Sequence, residues 1–248
     1  MNRRYALLFA ALLALVLTGC KTSGTTAMTR TSQPSVITLT PSPSIPDAHK
    51  AAHRYKVTAD VGTLVVDDTI GNITVTGGQR SGVEVFADAT YSSTPPDITR
   101  TVSGGTLTVG YTCPPQTPCT VTFVIEVPSG IVVRAATNTG SIWLKDLAGA
   151  ATATIGAGRI YASGLTAQTA SFTTGAGWIS AAFTSPPENV TASTMLGTIQ
   201  IQVPATATYR MITNAVGGNV TVGVPQGAAA ARTITASTNL GNVEVTPS

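Results

Sequence analysis

From about residue 55 onward, apolar and polar residues alternate in short runs that are separated by Gly, Pro, Asn and Asp. In Val121–Val127, for example, every second side chain is apolar. A period of two is typical of a strand with one buried face, and no stretch has the 3.6-residue period of an amphipathic helix. Thr and Val are abundant and Leu is sparse, as in pleated strands. The pattern therefore predicts an all-β domain over residues 55–248.

A short motif recurs in the second half of this domain. It consists of Gly, any residue, Ile or Val, any residue and an apolar residue, and the spacing grows from 18 residues (140 to 158) to 23 (218 to 241). Such a near-constant period is typical of stacked rungs, each of which buries its apolar face against its neighbours. We therefore predict a β-solenoid or β-helix-like stack of short strands over about residues 131–248, after an N-terminal section of β-strands. The motif begins at Gly140, Gly158, Gly177, Gly197, Gly218 and Gly241.

Alternation within each copy also predicts which side chains face the core. The second and fourth residues after Gly share one face of the strand, and the first and third share the other. The second residue is expected to face inward, and Gly to supply the positive φ of a sharp corner. Ala162 and Ala181, at the fourth position, indicate a narrow core in the middle rungs. The predicted inward ladder is Ile142, Ile160, Ile179, Ile199, Val220 and Val243.

The opposite face of the first regular rungs carries a candidate binding patch. Trp143 and Tyr161 occupy one outward column, and Arg159 and Trp178 occupy the next, so both tryptophans of the chain are included. Rungs stack about 4.8 Å apart, and the four side chains are therefore expected to be contiguous. Aromatic and cationic surfaces of this kind bind sugars or proteins. The alternative is that the strands of residues 55–127 cover the patch, or that it only protects the solenoid wall.

The N-terminal residues 1–19 have the features of an export signal. Arg3 and Arg4 precede an apolar run, Ala6–Leu17, that is too short to span a bilayer. The run leads into Leu-Thr-Gly-Cys, which ends at Cys20 and resembles the lipobox of bacterial lipoproteins. This resemblance implies cleavage before Cys20 and its acylation, palmitate included, which forms a stable membrane anchor when two or three chains are attached. The general secretory route is favoured over the twin-arginine route, because only the arginine pair of the latter's motif is present.

The segment between the signal and the domain is rich in Thr, Ser and Pro. We interpret residues 20–54 as a tether that begins at the lipidated Cys20. Its length would reach roughly 30 Å as a flexible coil and up to about 100 Å as extended polyproline II. The tether would hold the domain away from the outer face of the cytoplasmic membrane or at the cell surface, and in a cell with an outer membrane the domain would face the periplasm.

Charge and cysteine content narrow the range of partners. Without Arg3 and Arg4, 14 − 2 = 12 basic side chains stand against 11 acidic ones, and they are scattered singly along the chain. Nothing therefore indicates a nucleic acid partner. With Cys20 lipidated, Cys113 and Cys119 remain as an even pair, and in an exported protein they are expected to form a disulfide.

Groups suited to catalysis or metal binding are few, because only 10% of the residues are charged. No cluster of acids, bases or nucleophiles stands out, so we predict no enzymatic activity, no catalytic residues, no cofactor and no metal site. His49 and His53 are interpreted as solvated residues where the tether meets the domain, in preference to metal ligands. Asp67 and Asp68 are interpreted as a turn between two strands.

Further short motifs precede the rungs, at Gly71–Val75, Gly82–Val85, Gly105–Val109 and Val127–Gly130. Their order, followed by the rung series, resembles a known family, the bacterial surface proteins called putative adhesins, whose biochemical function is largely unknown. The resemblance covers about Val57–Val245 and implies a β-solenoid-like domain on the outer face of bacteria. From the export signal and the scarcity of catalytic groups, we predict a lipid-anchored protein of the cell envelope that acts as a non-enzymatic binding or scaffold module for a cell-wall glycan or a surface protein.

Two other functions stay open at this point. The first is an envelope-stress or signalling accessory that binds a membrane protein, and co-purification with one such protein would favour it. The second and more distant one is a hydrolase of a cell-wall polymer, which would require a cleft lined by carboxylates.

Overall fold

The computed structural model describes residues 48–248. The predicted signal peptide, Cys20 and most of the predicted tether lie outside the described residues. Within them the regular structure is β throughout, in one 15-stranded sheet, as the alternation predicts. None of the described residues belongs to a helix that is long and apolar enough to cross a membrane. The strands are β1 (His49–Val57), β2 (Thr63–Gly78), β3 (Val83–Tyr91), β4 (Asp97–Ser103), β5 (Thr106–Thr112), β6 (Cys119–Pro128), β7 (Val132–Lys145), β8 (Ala151–Leu165), β9 (Thr169–Phe183), β10 (Asn189–Leu196), β11 (Ile199–Val203), β12 (Tyr209–Gly217), β13 (Val220–Val222), β14 (Arg232–Leu240) and β15 (Val243–Pro247).

Each rung consists of two arms that meet at a corner. In β7 the first arm precedes Gly140 and the second arm follows it, and β2, β8 and β9 are built in the same way. The later rungs are divided at the corner into β10 and β11, β12 and β13, and β14 and β15. Neighbouring rungs pair in parallel with their corners aligned, so that Gly71, Gly140, Gly158 and Gly177 stand in one column. The predicted solenoid is thereby confirmed.

Close stacking of the corners requires glycine. Of the six corner glycines that belong to the repeated motif, five have φ between 138° and 149°, a range that L side chains rarely adopt. A Cβ on any of the five would also clash with the carbonyl oxygen of the glycine stacked on it. Gly218 lacks the positive φ, although a Cβ there would still clash with the carbonyl oxygen of Gly241. The five are Gly140, Gly158, Gly177, Gly197 and Gly241.

One apolar core fills the space between the first and second arms. The inward ladder is buried as predicted at Ile142, Ile160, Ile179, Ile199 and Val243, but Val220 is 42% exposed, so its predicted burial is wrong. The strand order gives the reason, because β14 lies between β10 and β12. The rung of β12 and β13 is therefore the last of the stack, and Val220 aligns with Val243 without a further described rung to cover it.

The strands before the regular rungs extend the same stack. β5 pairs in parallel with the first arm of β2, and β6 pairs in parallel with the second arm. The loop between them takes the place of the glycine corner and is closed by a disulfide between Cys113 and Cys119, as predicted. The two strands do not pair with each other as a hairpin, since they lie along different arms of β2.

Two antiparallel strands continue the second arms beyond β6. β3 pairs with β6, and β1 pairs with β3 along its whole length. β1 begins at His49, so the described sheet starts before position 55, where the sequence predicts the domain to begin. His49 stacks on Tyr91 and His53 on Tyr55, with ring centroids 5.7 and 6.0 Å apart, so both histidines belong to the sheet.

Candidate functional site

The four residues of the predicted patch lie together on the outward face of the second arms. Trp143 of β7 aligns with Tyr161 of β8, and Arg159 of β8 aligns with Trp178 of β9. The rings of Trp143 and Tyr161 stack, with centroids 6.0 Å apart and 13° between their planes. Alternation around the buried Ile142 and Ile160 places these side chains on the outside, because successive residues of a strand point to opposite faces.

Exposure differs among the four side chains. Trp178 is 39% exposed and Arg159 is exposed, whereas Trp143 and Tyr161 are half-buried against each other. The strands before residue 128 do not cover the patch, because β6, β3 and β1 join the second arm of β2 edge to edge. They therefore widen the outward face, and the alternative that they bury the patch is wrong.

The column that contains Trp143 and Tyr161 continues through strand pairing across β2, β6 and β3. Thr74 aligns with Trp143, Val124 with Thr74, and Phe86 with Val124. Val124 is 40% exposed and Phe86 is half-buried. Phe86 and Val124 are apolar residues at outward positions and so break the alternation of their strands. This break is the sequence feature by which their place on the outward face could have been recognised. We call Phe86, Val124, Thr74, Trp143 and Tyr161 the aromatic row.

Charged side chains flank the two ends of the aromatic row differently. At the Phe86 end the charges are paired, with Arg80 3.8 Å from Glu84 and 2.6 Å from Glu126. At the Trp143 end, Lys145 follows on the same face and Arg159 lies in the neighbouring column, and neither forms a salt bridge within residues 48–248. Two cationic donors are thus available beside the stacked rings for an anionic or hydroxyl-rich partner.

A second unusual group is Asp68, which lies in the interior of the β2 rung. Both Asp67 and Asp68 belong to β2, so the predicted turn is wrong. Asp68 aligns with the inward Thr137 of the next rung and is only 4% exposed. Neither carboxylate oxygen has a hydrogen-bond partner, and burial raises the pKa of Asp68 from its usual 3.8 to about 7. The chain turns three residues later, at Gly71.

Tyr111 of β5 lies beside Asp68 and is fixed by the backbone of β2. Its hydroxyl donates a hydrogen bond to the carbonyl oxygen of Ile70 (2.9 Å) and accepts one from the N–H of Ile70 (3.0 Å). Burial raises the pKa of Tyr111 to about 12, so the hydroxyl stays neutral at physiological pH. Because Asp68 is enclosed, it affects the stability of the fold and does not meet a substrate.

Metal ligands are not clustered in the part of the chain that the structure describes. Residues 48–248 contain no group of three or more His, Cys, Asp or Glu side chains that could hold a metal ion. His49 and His53 instead contact tyrosines.

Comparisons with known proteins identify similar folds. No family model and no curated protein matches the chain. Among solved structures, a putative cell adhesion protein from Clostridium sporogenes is similar over 81% of this chain and 100% of its own, with 10% identity and a TM-score of 0.44.

Two further structures come from other genera. A putative adhesin from Bacteroides fragilis covers 79% of this chain and 97% of its own at 14% identity, with a TM-score of 0.41. A putative lipid binding protein from Parabacteroides distasonis covers 79% and 96% at 10% identity, with a TM-score of 0.37. The chain is thus similar to a solved cell adhesion protein and a solved adhesin, both called putative, and the second shares the name of the family that the motifs resemble.

Proposed function

We propose that the chain is a lipid-anchored protein of the cell envelope that binds a partner through the aromatic row and catalyses no reaction. The observation that carries this proposal is the stack of Trp143 on Tyr161, beside Trp178, on a sheet face that no other described strand covers. Aromatic residues make up only 5% of the chain, so their concentration on one outward face is unlike the rest of its surface. Large aromatic side chains concentrate contact energy at interfaces.

The shape of the site favours an extended partner. The aromatic row crosses five strands of a sheet whose strands lie about 4.8 Å apart, and it therefore presents a long flat surface. Aromatic ring faces pack against the apolar faces of sugar rings, while Arg159 and Lys145 can donate to hydroxyl or carboxylate oxygens. A cell-wall glycan is the partner that we propose first, and a surface protein is the second.

Removing both indoles should abolish binding without unfolding the domain. We expect the double variant Trp143→Ala, Trp178→Ala to lose several hundredfold in affinity for isolated cell-wall material, since truncating such anchors costs about 2 kcal/mol each at an interface and about 1.4 kcal/mol is tenfold in affinity. The measurement is a co-sedimentation isotherm of the protein with cell-wall sacculi, accompanied by thermal melting of each variant.

A matched control removes exposed apolar side chains elsewhere. Val102→Ala, Met195→Ala takes away side chains that are 43% and 60% exposed, and it should bind like the parent. Equal affinity of both double variants would refute the aromatic row as the binding surface. Retained affinity for sacculi together with lost capture of a single membrane protein would instead favour the signalling accessory.

Anchoring is tested separately at Cys20. We expect Cys20→Ala to move the protein from the membrane fraction into the soluble fraction, because the acyl chains provide the membrane affinity. The measurement is fractionation of cells that express the parent or the variant, followed by immunoblotting. Unchanged membrane association of Cys20→Ala would contradict lipidation without affecting the proposal for the aromatic row.

A further inference from the structure

The last rung of the solenoid leaves one end of the apolar core open. β12 pairs with β14, and beyond residue 209 no described strand lies along its other edge. The inward side chains of this rung, such as Met211 and Ala215, are only partly buried against the core. Solenoids usually end in a rung with a polar outer face, and this rung lacks one.

The backbone of β12 has unpaired groups on this open edge. At its start, the Tyr209 N–H donates to the Pro225 carbonyl (3.0 Å), and the Gly227 N–H donates to the Tyr209 carbonyl (3.0 Å). In a strand, the N–H and C=O groups of successive residues point to opposite edges. Every second residue after Tyr209 therefore directs its N–H and C=O groups to the open edge, and these residues are Met211, Thr213 and Ala215. The loop that contains Gly227 forms no further bridge with β12 beyond Tyr209.

The edge strands at the opposite end of the stack carry charges that discourage pairing. β1 includes Lys50, Arg54 and Lys56, and such charged edges resist the addition of a strand. β12 has a single charged residue, Arg210, and no proline. β12 is thus the longer of the two described edge strands whose sequences permit pairing with another strand, since the other, β13, has only three residues.

We propose that β12 pairs with β12 of a second copy, antiparallel and across a two-fold axis at Thr213. In this register Thr213 faces its own counterpart and Met211 faces Ala215, so all three residues with unpaired backbone groups exchange hydrogen bonds. A large side chain then meets a small one, and the two open core ends cover each other. Arg210 lies opposite Val216, so the two guanidinium groups sit at opposite ends of the ladder, whereas parallel pairing would place them side by side. Two-fold pairing closes the assembly at a dimer.

The first test is a cysteine at the proposed axis of the full chain. Residues that face each other in a hydrogen-bonded antiparallel pair have Cα atoms about 5.5 Å apart, which a disulfide can bridge. We expect Thr213→Cys to form a covalent dimer under mild oxidation on non-reducing gels. The matched control Asn214→Cys lies one residue further along, on the outward face, and should stay monomeric on the same gel. Equal cross-linking of the two variants, or none in either, would overturn the proposal.

A second variant separates pairing from folding. The N–H of Thr213 points away from β14, so Thr213→Pro in both copies removes the two bonds that the facing Thr213 residues exchange and none of the β12–β14 ladder. We expect the parent to sediment as a dimer and Thr213→Pro as a monomer with far-ultraviolet circular dichroism like that of the parent. A monomeric parent, or a variant that remains dimeric, would contradict the pairing. Neither result depends on binding by the aromatic row.

Discussion

Replacing Ile199 by Asp should unfold the middle rungs of the solenoid, whereas an Asp on the outward face of the same strand should be tolerated. Ile199 is fully buried and lies between Ile179 and Val243 of the neighbouring rungs. A buried carboxylate without a partner costs several kcal/mol, out of a total stability of roughly 5–15 kcal/mol. We expect chemical denaturation of Ile199→Asp to give a free energy of unfolding lower by about 3–5 kcal/mol, if the variant folds at all.

Gln200, the outward residue next to Ile199, is not a suitable position for the control variant. Gln200 donates a hydrogen bond through its Nε2 to Glu244 (3.0 Å), so Gln200→Asp would place a second carboxylate against Glu244. Gln202 is exposed and aligns with Ala182 and Thr246, which carry no charge. Gln202→Asp should therefore change the unfolding free energy by less than about 0.5 kcal/mol. Similar losses in both variants would show that the inward and outward faces are assigned the wrong way round.

Local chemistry made much of each rung predictable from the sequence. The period of two fixes which side of a strand is apolar, so the burial of Ile142 and the outward position of Trp143 follow from the same five residues. Glycine at the corner is equally local, because both the φ of Gly140 and its contact with Gly71 exclude a side chain. The alignment of Arg159 with Trp178 then follows from stacking rungs in register.

The order of the rungs was not predictable in this way. Every copy of the motif presents the same inward Ile or Val, so a rung can pair with any other, and nothing local requires β14 to lie between β10 and β12. The exposure of Val220 is a consequence of that order. The same limitation hid the extension of the aromatic row, because Phe86 and Val124 reach it only through pairing between strands that are distant in sequence.

The misinterpretation of Asp67 and Asp68 has a different origin. Two adjacent carboxylates are typical of a turn, but β2 continues through them to the corner at Gly71, in the same way that β7 continues to Gly140. In the later rungs the inward position that corresponds to Asp68 is mostly Thr. The Thr hydroxyl can donate a hydrogen bond to a backbone carbonyl at the corner. The members of this buried column are Asp68, Thr137, Ile155, Thr174, Thr194 and Thr238.

Replacing Asp68 by Thr should stabilise the domain, and the gain should depend on pH. Burial raises the pKa of Asp68 from 3.8 to about 7. Asp68 therefore ionises at a higher pH in the folded state than in the unfolded state. As pH rises from about 4 to about 7 the parent loses stability, by up to about 4 kcal/mol at 1.36 kcal/mol per unit of pKa, and above pH 7 the loss stays constant. Chemical denaturation at pH 8 should show Asp68→Thr more stable than the parent by a few kcal/mol.

Two comparisons decide whether the buried carboxylate is the cause. Thr137 donates to the carbonyl of Thr139 (3.3 Å), and the new hydroxyl at position 68 can donate to the equivalent carbonyl of Ile70, so the substitution fits the rung. The gain should shrink towards zero below about pH 4, where Asp68 is protonated in both states and the Tyr111 hydroxyl beside it is neutral throughout the range. Asp67→Asn, on the exposed neighbour, should give no comparable gain at either pH. A gain of equal size at pH 4 and pH 8 would mean that Asp68→Thr stabilises the domain through packing, and that the cost of ionising Asp68 in the folded state is small.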